Sequence, residues 1–264
     1  MRCDLLQAVA LCCHANRYLV NPDDAPAPEL TISNHTFGSV YEAVWERVLT
    51  HGPLTVAEGT APWYRKLVHD HSERLRLMAA GYAYHGNPRP GAWGILTETD
   101  LGLELWKPFW KPRGAHYDDP RPWKVVYTAE RFSRYATASA PRLDASVHEL
   151  QHATGELAEF LGSHGWSIAR NFDDARRVFG AHGDQKTGFD DVLALDEPPE
   201  LRAAAALAER CYMELHAEAW REVRPEDDGL RATITGRCVT VWACLLRTFE
   251  AVVNASGIDQ AMAA

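Results

Sequence analysis

Near the C-terminal end of the chain, Ile234, Cys238, Val241, Trp242, Leu245, Phe249 and Val252 recur at three- and four-residue spacing. This predicts a helix over residues 230–254 whose apolar stripe is too broad to leave in water. No other feature constrains the fold as much, because such a helix must be central and largely buried. Burying Val241, Leu245 and Phe249 is worth roughly 1.5–3 kcal/mol each. A second helix is predicted just before it, over 199–223. Pro198-Pro199 opens this helix, and Leu201, Ala204, Ala208, Cys211, Leu215 and Ala219 share one of its faces. The two helices are expected to pack together.

Similar cues place the other elements. Residues 3–17 read as a first helix. Asn34 can cap a second, in which Phe37, Val40, Val44 and Val48 keep helical spacing until Gly52-Pro53 stops it. Thr60, with Pro62 just inside, opens a third helix that runs to about residue 84. Its core stripe is Tyr64, Leu67, Val68, His71, Leu75, Met78 and Tyr82. The run Gly86-Asn87-Pro88-Arg89-Pro90-Gly91 then breaks regular structure. Residues 93–97 and 103–106 read as short strands around Asp100-Leu101-Gly102, with 124–127 as a third and 106–113 as a loop between them. Helices return at 128–135, 142–161 and 172–179. The expected fold class is α+β, predominantly α-helical, with a small antiparallel β insert in the middle, about residues 92–127. The 264 residues are read as a single unit. If subdivided, the parts are the N-terminal helices (1–91), the insert (92–127) and a C-terminal helical part (128–264).

The formal charge of −9 argues against a general nucleic-acid binder, which needs a basic face to displace phosphate counterions. It also disfavours an electrostatic hold on anionic membranes, and no segment is read as long enough to span a bilayer. Leu5 to Cys13 is mostly apolar, but Asp4 precedes it and Gln7 interrupts it. No small-residue cleavage site follows, so an export signal is not expected. The six cysteines (Cys3, Cys12, Cys13, Cys211, Cys238 and Cys244) include no C-x-x-C pair. They read as reduced thiols packed as small hydrophobes, which points to the cytoplasm.

One pentapeptide spells a known piece of chemistry. In His148-Glu149-Leu150-Gln151-His152 the two histidines fall one helical turn apart on one face. There both imidazoles can reach a single Zn²⁺, with Glu149 as general base toward metal-bound water. Helix placement is supported by Val147, Leu150, Ala153, Leu157, Phe160 and Leu161, which share the opposite, apolar side. The extended pattern with a third histidine is half met: Gly155 falls correctly, but Ala158 stands where that histidine would be. A third ligand must come from elsewhere, and His164, Asp173, Asp174, His182 and Glu209 are the candidates. The same face also reads simply as the wet side of an amphipathic helix.

A second candidate is the stretch in which Trp106, Phe109, Trp110, His116, Tyr117 and Trp123 alternate with Lys107, Lys111, Arg113, Arg121 and Lys124. An aromatic loop rimmed by cations suits an anionic or planar ligand, or a partner's surface. Trp106, Trp110, Arg113 and Trp123 are its leading residues, and a structural cluster pinning a loop is the competing explanation. Gly180 to Thr187 nearly spells a phosphate loop, but Gln185 replaces the needed glycine and a helix precedes it. No G-x-S-x-G elbow, kinase signature or dinucleotide fingerprint is present. Two functions therefore stay open. One is a zinc-dependent hydrolase using His148, Glu149 and His152. The other is a non-catalytic binding or assembly protein, for a small molecule, a protein or a second copy, using the 106–123 surface.

Overall fold

A computed structural model of the chain describes residues 4–23, 27, 36–79, 93–100, 102–112, 121–131, 141–180, 189, 193 and 197–256. The C-terminal half follows the periodicity. Helices α3 (Leu143–Ser163), α4 (Ile168–Gly180), α5 (Pro199–Leu215) and α6 (Asp228–Ala255) pack in sequence, with α6 against both α3 and α5. The predicted 199–223 helix is interrupted at His216-Ala217 and resumes as a 3₁₀ turn over Glu218–Glu222. Asp227 caps α6, its carboxylate accepting from the Leu230 amide at 2.7 Å. The second half of α6 is the enclosed one: Val241, Leu245, Phe249 and Val252 are buried, whereas the first half buries Ile234 but leaves Val239 42% exposed. Contrary to expectation, α6 is long and apolar enough by length and composition to cross a membrane. Half of its most apolar window is buried within the protein, the pattern of a core helix.

The first half of the chain departs from the prediction. A mixed six-stranded sheet replaces the small antiparallel insert, in the order β2-β1-β6-β5-β4-β3. Its strands are β1 (Val40–Leu49), β2 (Gly52–Glu58), β3 (Leu75–Ala79), β4 (Trp93–Thr99), β5 (Gly102–Pro112) and β6 (Trp123–Arg131). The helix predicted from Asn34 is the β1–β2 hairpin. Val40, Val44 and Val48 are four apart, a spacing that an unbroken strand keeps on one face as well as a helix does, although a shift after Val40 here puts it on the face opposite Val44. The β-branched and aromatic content of 40–49 favours the strand. β1 then pairs in parallel with β6, from Val40↔Trp123 to Arg47↔Ala129. A contact so distant in the chain leaves no local periodic trace.

The third predicted helix ends early. α2 covers only Thr60–His69, and β3 follows. The Ser72 amide donates to Leu67 and the His71 amide to Val68, closing α2 with His71 in the left-handed region at φ 53°. This is a Schellman ending, with histidine where glycine is usual. His71 therefore faces solvent instead of the core. Of the loop predicted over 106–113, residues 106–112 are the second half of β5, and of the helix predicted over 128–135, residues 128–131 belong to β6; residues 113 and 132–135 are outside the described residues. Pro108 and Pro112 are tolerated because β4 pairs β5 only as far as Ile95↔Trp106. Beyond that point one edge of β5 has no ladder partner among the described residues.

Strand alternation gives the sheet two unlike faces. Trp45, Trp106, Tyr127, Ile95 and Leu77 lie on the face that receives the helices. Trp45 stacks between Trp63 of α2 at 4.8 Å and Tyr127 at 5.3 Å, and Trp63 meets Trp106 edge-on at 5.8 Å. Helix α1 (Asp4–Val20) is buried on nearly all sides. Its Asn16 amide donates to Leu75 and Val253, and its oxygen accepts from the Leu75 amide. One satisfied polar side chain thus ties α1, β3 and α6 together. The other face carries a small cluster of its own, Met78, Leu96 and Leu103 with Leu105, which contains no helical residue.

Candidate functional site

The HELQH segment lies on α3 as predicted. Val147, Leu150, Ala153, Leu157 and Leu161 are buried, while His148 and His152 are exposed. The two histidines, Gln151, Asp173, Arg176 and Arg177 line a shallow depression of about 530 Å³ between α3 and α4. Of the predicted third ligands, only Asp173 reaches it. Asp174 is paired with Arg177 at 3.1 Å. His164 sits at the far end of α3, its Nδ1 2.9 Å from the Phe160 carbonyl and its ring stacked on Trp166. Glu209 lies on α5 and does not line the depression, and His182 is outside the described residues.

Among the described residues, no three His, Cys, Asp or Glu side chains gather as a metal-ligand group. Two contacts give the physical reason. The Arg176 guanidinium lies over Gly155, so close that a Cβ there would be 2.7 Å from Nη1. The glycine that matched the extended motif therefore makes room for a cation. The presumptive base, Glu149, is turned toward α6, where Arg247 holds it at 2.8 Å.

The aromatic and basic stretch is split by the sheet. Trp106, Trp110 and Trp123 take the helix-covered face, and Trp106 is only 1% exposed, its Nε1 donating to Thr97 at 3.0 Å. Trp110 and Trp123 are half-buried and meet edge-on at 6.0 Å. The three tryptophans therefore do not form a surface together. Arg113, His116 and Tyr117 lie outside the described residues. Phe109, Lys107, Lys111 and Lys124 take the opposite face, where Phe109 is 61% exposed and Lys111 approaches its ring at 5.9 Å. Lys107 pairs with Glu130 and Lys124 with its cross-strand neighbour Glu42, each at 2.7 Å. Reading 106–112 with strand periodicity would have separated the tryptophans from the lysines.

A third place was not anticipated. At the β3 edge of the face against which no described helix packs, a depression of about 640 Å³ is lined by Arg74, Arg76, Leu96, Leu103 and the paired His71 and Asp100. The His71–Asp100 contact is 2.5 Å, and the Asp100 amide also donates to the Asp70 carbonyl at 3.3 Å. None of the five described cysteines has a lowered pKa. Burial pushes Cys13 and Cys211 up to about 12 and Cys238 up to about 11, so the thiols stay protonated near neutrality. Cys12, Cys13, Cys211, Cys238 and Cys244 are all unpaired, and Cys3 is outside the described residues.

Comparison with known proteins returns no matching family model, no matching curated protein and no matching solved structure.

Proposed function

We propose that this protein is a non-catalytic binding protein that docks an acidic, partly apolar partner segment on the face of its sheet against which no described helix packs. The exposure of Phe109 carries this reading. Among the described residues it is the largest exposed apolar side chain, with Lys111 beside its ring and Lys107 and Lys124, paired with Glu130 and Glu42, on the same face. An exposed ring among cations offers apolar area, cation–π contact and charge to a single ligand. Recognition is through side chains and not by added strand pairing. Pro108 and Pro112 lack amide protons and Lys107 and Lys111 carry charge, features that keep a strand edge from pairing with another chain.

The test is fluorescence anisotropy with a labelled peptide of alternating Glu and Leu and a Lys/Leu control. Wild-type protein should bind the acidic peptide only. Phe109→Ser combined with Lys111→Glu should weaken binding at least about tenfold. Equal affinity in the variant, or no binding of the acidic peptide, defeats the reading.

A zinc hydrolase on α3 is the lesser reading. One observation favours it: His148, His152 and Asp173 share a depression. Metal analysis of untagged protein decides it. Stoichiometric zinc that His152→Ala abolishes would support the hydrolase, and metal-free protein would end it.

A further inference from the structure

We propose that the depression at the β3 edge is a binding site for a small organic anion, its charged head held by Arg74 and Arg76 and its apolar body resting on Leu96 and Leu103. The site is separate from the Phe109 surface, and neither proposal needs the other. Its volume, about 640 Å³, is that of a small-molecule pocket.

The arginine pair is the central observation. Arg74 and Arg76 stand two residues apart at the start of β3 and line the same depression. Arg74 donates to the Asn254 carbonyl near the end of α6, which fixes its guanidinium. Among the described residues neither guanidinium is ion-paired with a carboxylate, although Glu73 and Glu98 line the same depression. Burial and the neighbouring Arg76 both act against the charge on Arg74 and lower its pKa. Elsewhere in the same sheet a half-buried arginine is treated differently: Arg47 is met by both Asp70 and Glu104. Two unpaired like charges at a partly desolvated position lack the anion that would relieve them, and a ligand carboxylate or phosphate supplies it.

The rim is held in place. The Asp100 amide bond to the Asp70 carbonyl fastens the end of α2 to the β4–β5 turn, with the exposed His71–Asp100 contact beside it. The floor is apolar, because Leu96 and Leu103 belong to the helix-free cluster. Glu73, Glu98 and Asp100 add negative charge around it. They would repel a polyanion, so the ligand is a monoanion with an apolar body.

The test uses saturation-transfer NMR and calorimetry with phenylacetate and, separately, inorganic phosphate. Phenylacetate should bind, and Arg76→Gln should weaken it about tenfold or more, the usual loss on removing a charge-assisted contact. Glu98→Gln should tighten it, an effect that a purely structural role for the pocket would not produce. Melting temperatures of both variants report whether the fold is intact. The proposal is overturned if phenylacetate does not bind, if Arg76→Gln leaves its affinity unchanged in a folded protein, or if phosphate binds as well as phenylacetate.

Discussion

The guanidinium of Arg247 on α6 holds the carboxylate of Glu149 on α3 at 2.8 Å. The residue that a metallohydrolase would need as its base is here a link between two helices. Both side chains remain about half exposed, 52% for Arg247 and 40% for Glu149, so water and salt screen the pair. Glu149→Gln should therefore cost less than about 1 kcal/mol in urea unfolding. The difference should shrink in high salt. A loss of several kcal/mol would mean that Glu149 does more than this pair.

The Arg47 cluster should behave in the opposite way, because it is more enclosed. Arg47 Nε lies 2.8 Å from Glu104 and Nη2 3.1 Å from Asp70, and Lys66 also contacts Asp70. Arg47→Leu takes the shared cation from two mostly buried carboxylates, leaving Asp70 with Lys66 and Glu104 without its ion-pair partner, and should cost about 3 kcal/mol. Burial opposes ionisation of Asp70, but hydrogen bonds from Lys66, His69 and Arg47 outweigh it and hold the carboxyl below its usual range. An unfolded aspartate titrates near 3.9, so above about pH 5 this contribution is fully present. As pH falls, the unfolded chain takes up the proton first. Stability is then lost until pH passes the lowered folded value. Asp70→Asn should flatten that acid limb in urea titrations between about pH 5 and 2.

His71 occupies the left-handed position that ends α2, at a cost glycine would not pay. Its contact with Asp100 joins two exposed side chains and returns little. His71→Gly should therefore stabilise the fold by roughly 0.5–1 kcal/mol, whereas His71→Val should destabilise it by at least that much. Thermal unfolding of the two variants checks the sign.

The two halves of α6 should differ under mutation. Leu245 is fully buried among α3, α5 and the core, and Leu245→Ala should cost about 2–5 kcal/mol. Val239 is 42% exposed, and Val239→Ala should change stability by no more than about 0.5 kcal/mol. Equal costs at the two positions would mean that the N-terminal half of α6 is also enclosed.

The sequence by itself determined the helical C-terminal half, because a helix is made by contacts three and four residues apart. The apolar stripe of α6, the Pro198-Pro199 start of α5 and the inward side of α3 could all be read without knowing their partners. It also placed His148 and His152 together on one face of α3. It could not supply the next step, since a third ligand, the Arg176 guanidinium over Gly155 and the Arg247 partner of Glu149 all come from other elements. In the first half the local signals were ambiguous or silent. The four-residue spacing of Val40, Val44 and Val48 fits a strand and a helix alike, and the end of α2 carries histidine where a glycine would have announced it. Only the tertiary structure decided that β1 runs beside β6, about eighty residues away. A second ladder, β5 antiparallel to the other edge of β6, turns 106–112 from a loop into a strand, sending its tryptophans to the helix-covered face and Phe109 with its lysines to the other. Helix-forming contacts are written within one turn of chain, whereas sheet pairing and site assembly depend on which distant residues the fold brings together.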